Sequence, residues 1–195
     1  MEVNELIPKI EGALDNCQSI IDSHPNVVLS EADFERLLCR CISSQLNERI
    51  EQKPQPQEFS VHTQISHYFQ ENGKTKVKDR VDILIIDENE MEKCKVHKGG
   101  HYHGISVALE LKYIRIVDSV TIVREDFEKW DRLKEDSTLF VVALIDCKDN
   151  AEYDKKKFRL EKLANTEFPD RHHGQNNLYC RCLKKIGGSR KSFKE

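Results

Sequence analysis

No apolar run in this 195-residue sequence approaches the roughly 20 residues that a bilayer-crossing helix requires. The N-terminus, Met1-Glu2-Val3-Asn4-Glu5, is acidic and lacks the basic-then-apolar order of a secretion signal, so the chain is expected in the cytoplasm and away from membranes. A paired set of cysteines is missing too. The seven, Cys17, Cys39, Cys41, Cys94, Cys147, Cys180 and Cys182, are an odd number without an export signal, which argues for reduced thiols over a disulfide framework. There is no internal repeat, and no helix-turn-helix or other recognisable reader of nucleic-acid sequence. What remains is a soluble globular composition, 33% charged and 38% hydrophobic, in a chain long enough for one domain with a sizeable core.

The net charge of −3 conceals a gradient. Residues 1–71 carry 5 basic and 12 acidic side chains, a balance of −7. Residues 72–147 carry 13 and 15, and residues 148–195 carry 13 and 7, a balance of +6. A polyanion is therefore expected to approach the C-terminal part, although a charge run is also what a solvated face looks like.

Hydrophobic spacing predicts a helix over 3–22, with Leu6, Ile7, Ile10, Leu14, Ile20 and Ile21 on one stripe. Residues 24–29 interrupt it. Ser30 then offers an N-cap with Asp33 three positions on, opening a second amphipathic helix over about 31–47. EQKPQPQ (51–57) reads as a linker. These features divide the chain into N-terminal helices (1–50, the second belonging to the core) and an α/β core with a basic tail (58–195).

Within the core, Phe59, Val61, Thr63 and Ile65 alternate with polar residues as in a strand. Val81–Ile86 and Ile105–Ile114 read as buried strands joined by a long hairpin containing Gly99-Gly100. Residues 119–135 have helical spacing, Thr138–Ile145 is the most apolar stretch and should be an interior strand, and a charged helix (150–164) precedes a last strand, Leu178–Leu183. The order ααβββαβαβ implies one mixed sheet flanked by helices.

Strand alternation sends Leu109 and Leu111 to one face and Glu110 and Lys112 to the other. Charged groups inside apolar strands are costly to bury unless paired or metal-bound, and Asp82 poses the same problem within Val81–Ile86. If the two strands are neighbours, Asp82 lies opposite Glu110. Such a carboxylate pair repels itself unless it shares a proton or a cation, and oxygen-only ligands suit Mg²⁺ or Mn²⁺ rather than zinc. The plainer reading is that Glu110 and Lys112 form an ordinary cross-strand ion pair.

Arg80-Val81-Asp82-Ile83-Leu84-Ile85 followed by Glu110-Leu111-Lys112, with an acidic helix upstream and a helix and apolar strand downstream, resembles the PD-(D/E)xK superfamily of restriction-endonuclease-like nucleases over about residues 30–146. The resemblance implies a restriction-endonuclease-like sheet and metal-dependent phosphodiester hydrolysis, in DNA before RNA. Asp82 and Glu110 would hold one or two divalent ions, and Lys112 would orient the attacking water or offset charge on the phosphorane. Many such nucleases take a further ligand from the preceding helix. Glu31 lies about 50° from the centre of the apolar stripe and Glu35 about 90°, so Glu31 ranks first, although either acid is also explained by its place in a helix's first turn. Some relatives carry an acid on the strand before the motif Asp, where this chain has Gln64, and Val81 replaces the eponymous proline. A nuclease-fold module that only binds nucleic acid or a protein is the alternative. A homodimer or a partner that supplies specificity would fit the lack of a sequence reader.

Weaker signals remain. Cys94, His97, His101 and His103 sit within ten residues but match no zinc-site spacing, and read as a polar loop. Cys180 and Cys182 share one face of a strand, a packing arrangement. His172-His173 lie in a turn-like stretch. Asp126, Lys129 and Arg132 follow the Glu110 strand on a helix, either lining a groove or as an exposed face, and Trp130 has core spacing.

Overall fold

Ser30 and Asp33 do what their spacing predicts. The Asp33 backbone N–H donates to Ser30 Oγ at 3.2 Å, and Asp33 Oδ2 accepts from the Ser30 hydroxyl (2.8 Å) and the Leu29 N–H (3.2 Å). This exchange satisfies donors that a helix start leaves open. The Ser30 hydroxyl and Leu29 N–H hold the Asp33 carboxyl below its usual pKa. Here α2 (Glu31–Asn47) begins, after α1 (Val3–Ser23) and a 3-10 turn at Pro25–Val27. The computed structural model describes residues 3–47, 59–71, 74–87, 101–102, 106–128, 137–167 and 178–187.

The remaining elements are β1 (Phe59–Glu71), β2 (Lys74–Asp87), the two-residue β3 (His101–Tyr102), β4 (Ser106–Ile114), a 3-10 turn (Val120–Val123) leading into α3 (Arg124–Glu128), β5 (Thr138–Cys147), α4 (Asn150–Glu167) and β6 (Leu178–Ile186). They form a mixed α/β structure. Among the described residues the sheet runs β3-β1-β2-β4-β5-β6, with β1, β2 and β4 antiparallel to their neighbours in turn and β4, β5 and β6 parallel. The short β3, parallel to β1, adds to the expected order. Residues 119–135, expected as one helix, begin instead as a 3-10 turn, with α3 described over 124–128.

Two apolar layers clasp the sheet. On one face Leu6, Ile10, Leu14 and Ile21 of α1 and Phe34, Leu38 and Ile42 of α2 pack on Ile83, Ile85, Val107, Leu109, Leu111, Phe140, Val142 and Leu144. On the other, Leu84, Ala108, Ile114, Val141, Ala143 and Ile145 meet Val123 and Phe127 from the segment around α3 and Leu160 of α4. Every residue of β5 from Thr138 to Ile145 is buried, as its unbroken apolar sequence requires. Cys180 and Cys182 pack into the second layer, and no described cysteine is in a disulfide.

The first helix also reaches the end of the sheet. The Gln18 side-chain amide donates to the Lys184 carbonyl (2.8 Å) and accepts from the Lys184 N–H (2.7 Å), while Glu11 pairs with the Arg181 guanidinium through two contacts. These bonds tie α1 to β6, across 166 residues of chain in the case of Gln18.

Leu144→Ala should cost about 2–5 kcal/mol in urea unfolding, because it empties a fully buried position in the layer beneath α1 and α2. Ser30→Ala should cost only about 1 kcal/mol, the worth of a cap.

Candidate functional site

The pairing of β2 with β4 runs from Ile86/Ser106 to Ile83/Leu109 and ends there. One step further along the same register Asp82 stands opposite Glu110. On the other side of β2, Thr63 pairs with Ile83 and Ile65 with Val81, which sets Gln64 opposite Asp82. Gln64, Asp82 and Glu110 therefore form a row across three strands. Where the ladder stops, β4 still presents N–H groups toward β2. The Leu111 N–H donates to Asp82 Oδ2 at 2.7 Å, and the Tyr113 N–H to Glu31 Oε2 at 3.0 Å. Two carboxylates thus take up donors that a longer β2–β4 pairing would have used. Bonds of this charged kind are worth about 1.5–3 kcal/mol each.

Glu110 and Lys112 share the opposite face from Leu109 and Leu111, as alternation requires. Their neighbours in parity, Ala108 and Ile114, belong to the layer beneath α3 and α4. Glu110 is 1% exposed. Lys112 Nζ lies 3.4 Å from Asp126 Oδ2 of α3, whose side chain is only 7% exposed. Burial works to lower the Lys112 pKa, but the charges of Asp126, Glu31 and Asp82 outweigh it and hold it above the usual lysine value. The lysine is a fixed cation amid three acids.

On the helix side, Gln64 Nε2 donates to Glu35 Oε2 at 2.8 Å and to Asp82 Oδ1 at 3.2 Å. One amide nitrogen joins a helix acid to the motif aspartate. Gln64 adopts φ +55°, in the left-handed region, where a non-glycine residue carries about 1–2 kcal/mol of strain. Both helix acids thus reach the site by different routes: Glu31, exposed, meets the β4 edge beside Lys112, and Glu35 meets Asp82 through Gln64.

Asp126 was legible only as a residue on the helix after the Glu110 strand, and its partner is Lys112. One buried group lay outside the sequence reading. Lys185 Nζ, on a residue 5% exposed, donates to Tyr113 Oη (2.8 Å), which donates to Asp146 Oδ2 (2.9 Å). These three sit at the C-terminal ends of β4, β5 and β6 and anchor the residue whose N–H holds Glu31. In sequence, Lys185 reads as part of a basic tail. The only hint was a lysine continuing the period-two pattern of a strand.

The carboxylates whose chemistry suits a hard divalent ion are those of Asp82, Glu110, Glu31 and Glu35, a set fitted to Mg²⁺ or Mn²⁺. Among the described residues, no three His, Cys, Asp or Glu side chains are gathered closely enough to hold a metal ion. The expected trio of Asp82, Glu110 and Glu31 is not drawn to one point; the Gln64 amide joins Asp82 to Glu35 instead, and the Lys112 ammonium lies against Asp126. Two of the thiols are held protonated. Burial, with Glu35 nearby, pushes Cys39 up to about 11, and burial with Glu152 and Asp146 nearby does the same to Cys147. Cys94, His97, His103, Lys129, Trp130, Arg132 and His172-His173 lie outside the described residues. No helix among the described residues is long and apolar enough to cross a membrane. No family profile, curated protein or solved structure matches the chain.

Lys112→Met should destabilise the protein by about 1–3 kcal/mol at pH 8, because it removes a cation 3.4 Å from the buried Asp126. Adding Asp126→Asn should recover most of that loss. Since the folded pKa of Lys112 exceeds the unfolded value of about 10.4, the ion pair stabilises fully below that pH and fades as pH rises through the folded value. Melting curves of wild type and Lys112→Met should therefore converge in strongly alkaline buffer.

Proposed function

We propose that the chain is a divalent-metal-dependent nuclease of the PD-(D/E)xK type, hydrolysing phosphodiester bonds in DNA before RNA. One observation carries this reading: the pairing of β2 with β4 ends one step before Asp82 and Glu110, where Asp82 takes the Leu111 N–H and Lys112, two residues past Glu110, lies across from Asp126. The order α2, β1, β2 with Asp82, β4 with Glu110 and Lys112, α3 and β5 is also the order the resemblance implies, and supports a restriction-endonuclease-like sheet.

Asp82 and Glu110, with Glu31 from α2, are the residues that would hold Mg²⁺ or Mn²⁺. The chemistry such an ion supplies is polarisation of the phosphate and a lowered pKa for water. The protein's own part is to orient and to offset charge. Asp82 is fixed by the Leu111 N–H and Gln64, so its carboxylate direction is set before substrate arrives. Lys112, kept protonated by three acids, orients a water or offsets charge gathering on the phosphoryl oxygens. The lack of a sequence reader directs the activity to a structure in the nucleic acid or to a partner, either a second copy or a protein that supplies specificity.

A second reading, a binding module without catalysis, draws on the same row. The Gln64 amide already bridges Glu35 and Asp82 without a metal ion, and the Lys112 ammonium already pairs with Asp126.

Purified protein with Mg²⁺ or Mn²⁺ should cleave at least one among linear, circular, single-stranded and branched DNA. Asp82→Ala and Lys112→Ala, checked by circular dichroism to be folded, should each lower the rate by roughly 100-fold or more. Retained DNA binding with no cleavage of any substrate would instead favour the binding module.

A further inference from the structure

We infer that Gln64 is a positioning residue, a latch whose amide sets the Glu35 carboxylate of α2 against Asp82 before any cation is present. The inference rests on the metal-site reading of Asp82 and extends it to a residue that makes no ionic bond.

The backbone carries the first part of the argument. Phe59 and Val61 of β1 pack in the layer beneath α1 and α2. Regular alternation from them would turn residue 64 to the other face, away from α2. Gln64 escapes that fate through its left-handed φ of +55°, and its amide nitrogen lies 2.8 Å from Glu35 on α2. The same switch occurs across the row. Ile83 and Ile85 belong to the α1–α2 layer, yet Val81 belongs to the opposite one, although regular alternation would put 81 and 83 on one face. Both strands change face at Gln64 and Asp82, between the paired positions Thr63/Ile83 and Ile65/Val81. Glycine would take this backbone without strain, so a glutamine here indicates that the side chain is used.

The chemistry of the amide carries the second part. Its nitrogen has two hydrogens, and each has a carboxylate oxygen from a different element as acceptor. A neutral amide brings two acids together without cancelling their charge, so the pair it assembles still favours a cation. A lysine at this position would neutralise the acids and compete with the ion. Glutamine spaces the acids and leaves the demand for charge unmet, which is preorganisation of an ion site.

Two variants separate the amide from the backbone. Gln64→Gly removes the amide and fits the left-handed conformation; Gln64→Ala removes the amide and keeps the strain. Thr63→Ala, at an exposed neighbour, serves as the control. The readouts are the Mn²⁺ concentration giving half of the maximal rise in melting temperature, and the melting temperature in metal-free buffer. Both Gln64 variants should need roughly 10- to 100-fold more Mn²⁺, the range that outer partners exert on metal affinity. In metal-free buffer Gln64→Gly should melt above Gln64→Ala. A wild-type Mn²⁺ response that persists unchanged in both Gln64 variants overturns the latch alone. A wild-type melting temperature indifferent to Mn²⁺, and equal in its response to that of Asp82→Asn, overturns the metal reading and the latch with it.

Discussion

Beyond Ile83 and Leu109 the strands β2 and β4 cease to pair, and the backbone N–H groups of Leu111 and Tyr113 must be satisfied by something other than a strand. Asp82 and Glu31 supply the acceptors. That substitution of side chain for backbone governs the neighbourhood. It draws a helix acid down to the sheet, fixes the direction of Asp82, and opens the region in which Lys112 and the acids meet. Had the ladder continued, the same residues would have been held in an ordinary sheet with no room between the strands.

The electrostatics follow from that geometry. Asp126 and Glu110 are buried carboxylates, and a protein interior tolerates such groups only when charge or hydrogen bonds compensate. Lys112 is drawn upon by Asp126, Glu31 and Asp82 together. A single cation close to several acids offsets part of their mutual repulsion. The arrangement on the far side of the sheet ends is of the opposite kind, with Lys185, Tyr113 and Asp146 closed upon one another by short hydrogen bonds. One cluster is built to remain responsive and the other to stay fixed, and they are adjacent because Tyr113 belongs to both.

Much of this was legible from local pattern. The helix starts follow from Ser30 and Asp33, the strands from their apolar runs, and the distinction of Asp82, Glu110 and Lys112 from the expense of burying charge in such runs. That β2 and β4 are antiparallel neighbours, with Asp82 and Glu110 one step past the end of their pairing, needed only the strand pattern. What local pattern could not supply was register irregularity and long-range partnership. The face switch at Gln64 and Asp82 leaves no trace in composition; Gln64 read merely as the residue standing where some relatives carry an acid, whereas its bonds are those of a donor. The choice between Glu31 and Glu35 turned on the angle of a helical wheel, and a wheel cannot reveal that an amide on β1 would extend the reach of Glu35. Lys185 was hidden by the basic residues around it, since only tertiary contact distinguishes a buried lysine from a solvated one. The helix expected over 119–135 begins as a 3-10 turn because Ser119 caps it by accepting from Thr121, a tighter spacing than periodicity can resolve.

The bond pair between Gln18 and Lys184 has a consequence for assembly. The outer rim of β6 offers backbone groups that a strand from another molecule could adopt as a template. Gln18 presents to Lys184 the same donor and acceptor that a peptide unit would, and so occupies that template from within the chain. A second copy seeking to lengthen the sheet at this position would first have to evict the first helix. Self-association of this protein is thereby steered away from continuous intermolecular sheet at β6, and toward contacts made by side chains.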